Sequence, residues 1–406
     1  MDHKLYDSVL KSAQRMVFCI FFVQGSFACY SQGVNDSILN VIKTKALESN
    51  SDALIIKQNG HILYEDYYGK KEVPIYIASA GKSLTSLAIG KLIDDQLLDS
   101  IDQPVHSIYP QWKQGNKKRI TVRMLLNHTS GIQNHPNASL ELEPPPDYKV
   151  DNIIDIALAA ELSHVPGEKV DYNNKAVALL GGIVQELSGM SFDDYFAKSF
   201  FKPLNIYDYE WIKDRAGNPT VHGAFVLKPS DLIKFGELIL NKGSYADERV
   251  ISENWINESL KQGQDFTPIW GLLWWRLPEF EQRIIDDELW ESWTEGNVSK
   301  DFLEKMKPMQ GVLYKSRQEF YKALEVHLGA DWNQILGNAL KEGLESSKRI
   351  YGKKITAFYA SGHRGNNLVV VPEYNIVAIR CADHIGFDYD SDFFSEFVPL
   401  ISKLGN

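Results

Sequence analysis

The chain has 406 residues, 44% hydrophobic and 24% charged, enough apolar material for one large elaborated domain or two to three smaller ones. A net charge of −10 leaves no basic footprint for nucleic acid, and ten histidines without His-x-x-x-His or Cys-x-x-Cys spacing give no metal pattern. No internal repeat or low-complexity tract appears, and no motif asks for a cofactor.

The first legible segment is Met16 to Val23, an uninterrupted apolar run followed by the small-residue site Ser26-Phe27-Ala28. It is too short to span a bilayer, so residues 1–32 read as a secretory signal and N-terminal extension, with a bacterial periplasm as the expected destination. Lipid anchoring at Cys29 is the weaker alternative, because Ser26 stands where a branched apolar residue is wanted. Cleavage removes Cys19, and at the later site Cys29, leaving Cys381 without an obvious disulfide partner.

Next, Ala53 to Lys57 and His61 to Tyr67 flank Asn59-Gly60, the signature of a two-residue hairpin. A β-rich approach, Val73 to Ala78, then leads into Ser79-Ala80-Gly81-Lys82. Ser-x-x-Lys alone says little, since it also occurs at Ser8 and Ser199. Context singles out Ser79, because Leu84, Leu87, Ala88, Leu92 and Ile93 recur at helical spacing within Ala80 to Leu98. That places Ser79 at the N-terminus of a buried helix, where free N–H groups favour a developing oxyanion. Lys82, one turn on, faces the same side and reaches the Ser79 hydroxyl. A serine needs such a base to become a nucleophile, and a lysine serves only when it gives up its charge.

Pro166-Gly167-Glu168 marks a turn, followed by Tyr172-Asn173-Asn174 and a helix from Ala176 to Leu187. A phenol at the mouth of such a loop can pass a proton between serine, lysine and a leaving group. The Asn174 amide can donate to a substrate carbonyl, fix Lys82, or act as a helix N-cap. From 277 to 354 the chain is charge-rich and mainly helical in pattern, with Phe320, Leu324 and Leu328 in phase. This insertion is either a lid, with Trp290, Trp293 or Trp332 as apolar contacts, or a packing element. Strands follow at Ile355 to Ala360, Leu368 to Val371 and Ile376 to Cys381, with His363-Arg364-Gly365 between the first two and a closing helix from Asp392 to Leu404. Strands at both ends with helices between imply an α/β (α+β) architecture: one antiparallel sheet built from both termini, flanked by helices, with a mainly helical subdomain at about 100–250.

The order Ser79-x-x-Lys82, Tyr172-x-Asn174, His363-x-Gly365 resembles the serine β-lactamase and penicillin-binding-protein-like superfamily, in its class C-like branch. That branch includes family VIII esterases, D-aminopeptidases and 6-aminohexanoate-oligomer hydrolases. Leu125 to Ile132, Lys202-Pro203-Leu204 and Asp231 to Gly243 look like it too. The resemblance implies that Ser79 is acylated, Lys82 is its base and Tyr172 the general acid and base. It further implies an oxyanion hole from the N–H groups of Ser79 and Asn366, and a substrate held by Asn174. Where many relatives carry Lys-Thr-Gly, this chain has His363-Arg364-Gly365, with Gly365 expected where backbone approaches a ligand. His363 is a poor fixed partner for a carboxylate, and Arg364, on an alternating strand, is expected to point away. The expected substrate is thus a small ester or amide, with β-lactam or D-alanyl peptide as the rival and a non-hydrolytic sensor as the alternative of another class.

Overall fold

The structure is a computed structural model that describes residues 34–133, 150–223, 225–340, 344–383 and 392–405; the expected signal, with Cys19 and Cys29, lies outside them. Its central sheet takes strands from both ends of the chain: β1 (Ala53–Gln58), β2 (His61–Asp66), β3 (Trp275–Pro278), β4 (Ile355–Gly362), β5 (Asn366–Val371) and β6 (Ile376–Cys381). Their order is β2-β1-β6-β5-β4-β3, and every neighbouring pair is antiparallel. The β1–β2 turn uses Asn59 at φ 52° and Gly60 at φ 79°, the double left-handed turn that an Asn-Gly pair favours.

Both faces of the sheet are covered, which is why β5 and β6 are buried along their whole length. Alternation decides which side chain meets which layer. Ile55, Leu368, Val370, Val377 and Ile379 face a large core shared with helices α2 (Gly81–Asp94), α3 (Asn174–Ser188) and α4 (Pro229–Leu240). Leu54, Ile56, Val369 and Ala378 face the other way, onto Leu39 and Ile42 of α1 (Asp36–Glu48) and Phe397 and Ile401 of α5 (Asp392–Ser402). The expected fold class is what the structure shows.

The stretch after β3 is less uniformly helical than its sequence pattern. Glu281–Ile284 and Lys348–Tyr351 pair antiparallel and frame four helices, Asp287–Glu295, Lys300–Met306, Arg317–Leu328 and Trp332–Ala339. Phe320, Leu324 and Leu328 fall on one face, as their spacing predicts, and close a separate core with Trp293, Phe302 and Met306. Trp293 is wholly buried there, its indole N–H donating to the Glu345 carbonyl at 2.8 Å, and Trp290 and Trp332 pack on the same cluster.

Candidate active site

Ser79 occupies a short 3-10 turn, Ala78–Ala80, between strand residues Ile75–Tyr76 and the first turn of α2. The preceding Ala78 takes φ 50°, a left-handed conformation that a side chain with a Cβ disfavours. Such strain is expected where packing on all sides fixes the backbone, and Ala78 is buried. Ser79 itself is half-buried.

Lys82 is 3% exposed, and its Nζ donates to Ser79 Oγ at 2.9 Å and to the His222 carbonyl at 2.5 Å. The same nitrogen lies 4.8 Å from the centroid of the Tyr172 ring. Ser79, Lys82 and Tyr172, some ninety residues apart in sequence at the widest, thus meet at one point. The burial of α2 accounts for this: every residue from Gly81 to Gly90 is buried, so the helix is enclosed on all sides and Lys82 is inside wherever it points. Tyr76, half-buried beside Tyr172 and Arg364, has its phenol pKa raised, chiefly by burial, which keeps it protonated.

The loop carrying Tyr172 is closed by a helix cap. Asn173, not Asn174, is that cap: its Oδ1 accepts the Ala176 N–H at 2.9 Å, while its Nδ2 donates to the Ile132 carbonyl at 2.5 Å. Asn174 is the first residue of α3, 6% exposed, and its Oδ1 has no hydrogen-bond partner among the described residues. A buried amide oxygen left unsatisfied is costly, so Asn174 retains acceptor capacity for a bound group.

The third pattern is arranged differently from its sequence reading. His363-Arg364-Gly365 is the turn between β4 and β5, not a strand: Arg364 has φ 65° and Gly365 φ 73°, and Gly362 pairs with Asn366 across it. Arg364 is bound to the Asp383 carboxylate. His363 is exposed, and its pKa is lowered by partial burial and the Arg364 charge, so it is neutral at neutral pH. Gly365 serves the turn, where its freedom at positive φ is needed.

The expected oxyanion role of Asn366 is corrected as well. Its N–H donates to the His363 carbonyl, and the residue is wholly buried. Its side chain is equally committed, with Nδ2 donating to the carbonyls of His363 at 2.9 Å and of Tyr76 and Ala382 at 3.2 Å, and Oδ1 accepting the Ala382 N–H at 2.9 Å. Gly362 is the residue that closes on Ser79. A Cβ there would stand 2.2 Å from the Ile77 carbonyl oxygen, 2.9 Å from Ala80 N and 3.2 Å from Ser79 N. The pairing of β4 with β3 ends at Tyr359, so the outer edge of Ala360-Ser361-Gly362 has no strand beside it among the described residues.

A buried cation holds this turn. Arg380 of β6 donates to the Arg364 carbonyl at 2.6 Å, the Gly365 carbonyl at 3.2 Å, the Ser49 carbonyl at 3.1 Å and Ser51 Oγ at 2.8 Å, while burial pushes its pKa down to about 10. Gly362, Arg380 and the His222 carbonyl escaped the sequence reading. Gly362 alone left a signal, as an isolated glycine at the end of a strand pattern.

The sequence profile of the Beta-lactamase family matches residues 44–382, and the chain belongs to that family. Among relatives, the chain is 29% identical over 189 residues to protein flp of Staphylococcus aureus (strain NCTC 8325 / PS 47), covering 43% of this chain and 37% of flp. It therefore spans less than half the length of that curated relative. Of solved structures, a candidate β-lactamase from Bacteroides dorei DSM 17855 aligns with TM-score 0.62 at 18% identity, over 92% of this chain and all of that one. A class C β-lactamase from Rhodobacter sphaeroides aligns with TM-score 0.55 at 14% identity, over 91% and 99%. At such identities the likeness is one of fold.

Proposed function

We propose that the protein hydrolyses a small ester or simple amide through an acyl-enzyme at Ser79. The observation that carries this reading is the 2.9 Å contact between Lys82 Nζ and Ser79 Oγ. With Lys82 neutral, the hydroxyl proton moves to Nζ as Oγ bonds to the substrate carbonyl carbon. Tyr172, whose ring lies beside Nζ, relays that proton to the leaving group as the ester or amide bond breaks. Water then attacks the acyl carbon, gives up a proton by the reverse path, and frees Ser79. The oxyanion is received by the Ser79 N–H and by the backbone at Gly362-His363, the segment packed against Ser79.

Preference for an uncharged substrate rests on the charges at the third motif. Arg364 is neutralised by Asp383, and His363 is held neutral, so neither offers a standing cation to the carboxylate of a β-lactam or a D-alanyl peptide. The test is one plate: p-nitrophenyl butyrate and a chromogenic cephalosporin with the wild-type protein and Ser79→Ala. The expected result is ester turnover alone, reduced by about three orders of magnitude or more in the variant. Full activity in Ser79→Ala would overturn the assignment, and rapid cephalosporin turnover would replace the ester by a β-lactam. Stable labelling of Ser79 without turnover would favour a sensor. Export, supported by the sequence of residues 16–28, is proposed with it, and the N-terminus of the protein recovered from the periplasm tests that.

A further inference from the structure

His128 belongs to none of the three motifs, yet it touches the loop of the second more closely than any of them. It follows the short helix Val122–Leu126, is 1% exposed, and takes φ 61°, a left-handed conformation uncommon outside glycine. Its carbonyl oxygen accepts the Asp171 N–H at 2.8 Å, and its ring Nδ1 accepts the Asn173 N–H at 3.2 Å. One residue therefore holds the backbone on both sides of Tyr172.

The ring completes the enclosure. Its centroid is 4.8 Å from that of Tyr172 and 5.1 Å from that of Trp270, and Trp270 in turn lies 5.9 Å from Tyr172. With Lys82 Nζ over the same phenol ring, Tyr172 is bounded by two aromatic rings and the lysine nitrogen. His128 does not depend on Tyr172 for its own place. Asn127 Oδ1 accepts from Thr129 Oγ1 at 2.7 Å, Asn127 Nδ2 donates to the Gly263 carbonyl at 2.8 Å, and the Thr129 carbonyl accepts the Gly167 N–H at 2.8 Å.

We propose that His128 is the positioning residue of the site, fixing the Tyr172 phenol for proton transfer through its carbonyl oxygen and Nδ1 without itself touching the substrate. The inference rests on the reading of Tyr172 as the proton carrier. Because Nδ1 accepts, the imidazole proton sits on Nε2, which is buried without a hydrogen-bond partner among the described residues. Burial keeps the ring neutral, so the acceptor persists at any working pH. A strained φ and an unsatisfied N–H are both unfavourable, and the fold keeps both at the one residue that spans Tyr172.

Three substitutions separate positioning from bulk structure. Asparagine tolerates left-handed φ and places Oδ1 where histidine has Nδ1. Phenylalanine keeps a ring without the acceptor, and glycine relaxes the backbone without either. For p-nitrophenyl ester hydrolysis by the full chain, His128→Phe and His128→Gly should lose about ten- to a hundred-fold in kcat with KM little changed, as expected of a misplaced catalytic group. The pH limb assigned to the Lys82 and Tyr172 pair should move with them. His128→Asn should return close to wild type in both. Should His128→Phe fail to fold, His128→Gly carries the same test. Wild-type kcat and pH profile in the glycine or phenylalanine variant would overturn the proposal, whatever happens to Tm; so would a His128→Asn variant as impaired as the others. A Ser79→Ala variant run alongside tells this failure from failure of the serine-hydrolase reading, because only the latter leaves Ser79→Ala active.

Discussion

The wall of the site formed by Ser79, Lys82 and Tyr172 presents side chains, whereas the wall that meets it, Gly362 to Asn366, is held by side chains that bond to its main-chain carbonyls. On the first, Lys82 bonds to Ser79 at 2.9 Å and His128 brackets Tyr172. On the second, a left-handed turn, the amide of Asn366 and the guanidinium of Arg380 all engage main-chain carbonyls. Chemistry on the first wall depends on which side chains are present. On the second it depends on where carbonyls and N–H groups are placed, and substitutions there act through geometry.

The largest effect that would break this contrast is expected from Gly362→Ala. The new methyl would meet the Ile77 carbonyl oxygen at 2.2 Å and Ala80 N at 2.9 Å, both rigid backbone atoms, so β4 and the Ser79 turn must part. A displacement of that kind should lower kcat/KM for the ester by about a hundred-fold or more. Gly365→Ala is the control: it strains a φ of 73°, a left-handed penalty of roughly 1–2 kcal/mol, and should lower Tm while leaving most of the activity. Equal kinetic losses in the two variants would mean that the turn, not the close approach at Gly362, governs the site.

These walls were unequally legible in the sequence. The three-residue spacing of Ser79 and Lys82 on one helical turn made their contact readable, and Asn59-Gly60 marked its turn. The strand carrying Gly362 reads as ending at Ala360, two residues early, because glycine and the charged turn beyond it look alike as loop; Gly362 then drops out and Gly365 inherits its role. Backbone function left no letter to read. Any residue at 222 presents a carbonyl to Lys82, and nothing in Asn127-His128-Thr129 announces a positive φ. The framing strands Glu281–Ile284 and Lys348–Tyr351 were hidden by their charges, since Arg283 is buried through its ion pair with Glu281 and not through an apolar pattern.

A smaller effect sharpens the account of the first wall. Folded His128 has its pKa pushed down to about 3, chiefly by burial, while an unfolded histidine titrates near its ordinary 6.5. Between those values the unfolded chain binds the extra proton, so this contribution to stability is complete above the unfolded pKa and declines as pH falls toward the folded one. The slope approaches ~1.4 kcal/mol per pH unit within the window. Thermal melts at about pH 7 and pH 5 should therefore show wild type losing more stability than His128→Asn, by roughly 2 kcal/mol on that slope. Parallel losses in the two proteins would show that His128 is not the buried neutral ring on which Tyr172 rests.

The smallest expected effect probes the second wall electrostatically. Asp383 neutralises Arg364 in an ion pair whose carboxylate is half exposed, and a pair of that kind is worth about 0.2–1 kcal/mol. Asp383→Asn frees the cation and keeps the Asp383 N–H bond to Asp52 Oδ2 at 2.7 Å, since that donor is backbone. If the turn faces the acyl group, relative turnover of a succinyl over a butyryl p-nitrophenyl ester should rise about two- to five-fold, with butyryl turnover itself unchanged. An unaltered ratio would place Arg364 beyond reach of the substrate, leaving backbone position as the whole contribution of the turn. The direction is what matters: a gain for the carboxylate substrate alone would identify the pairing of Arg364 with Asp383 as a bar to charged acyl groups.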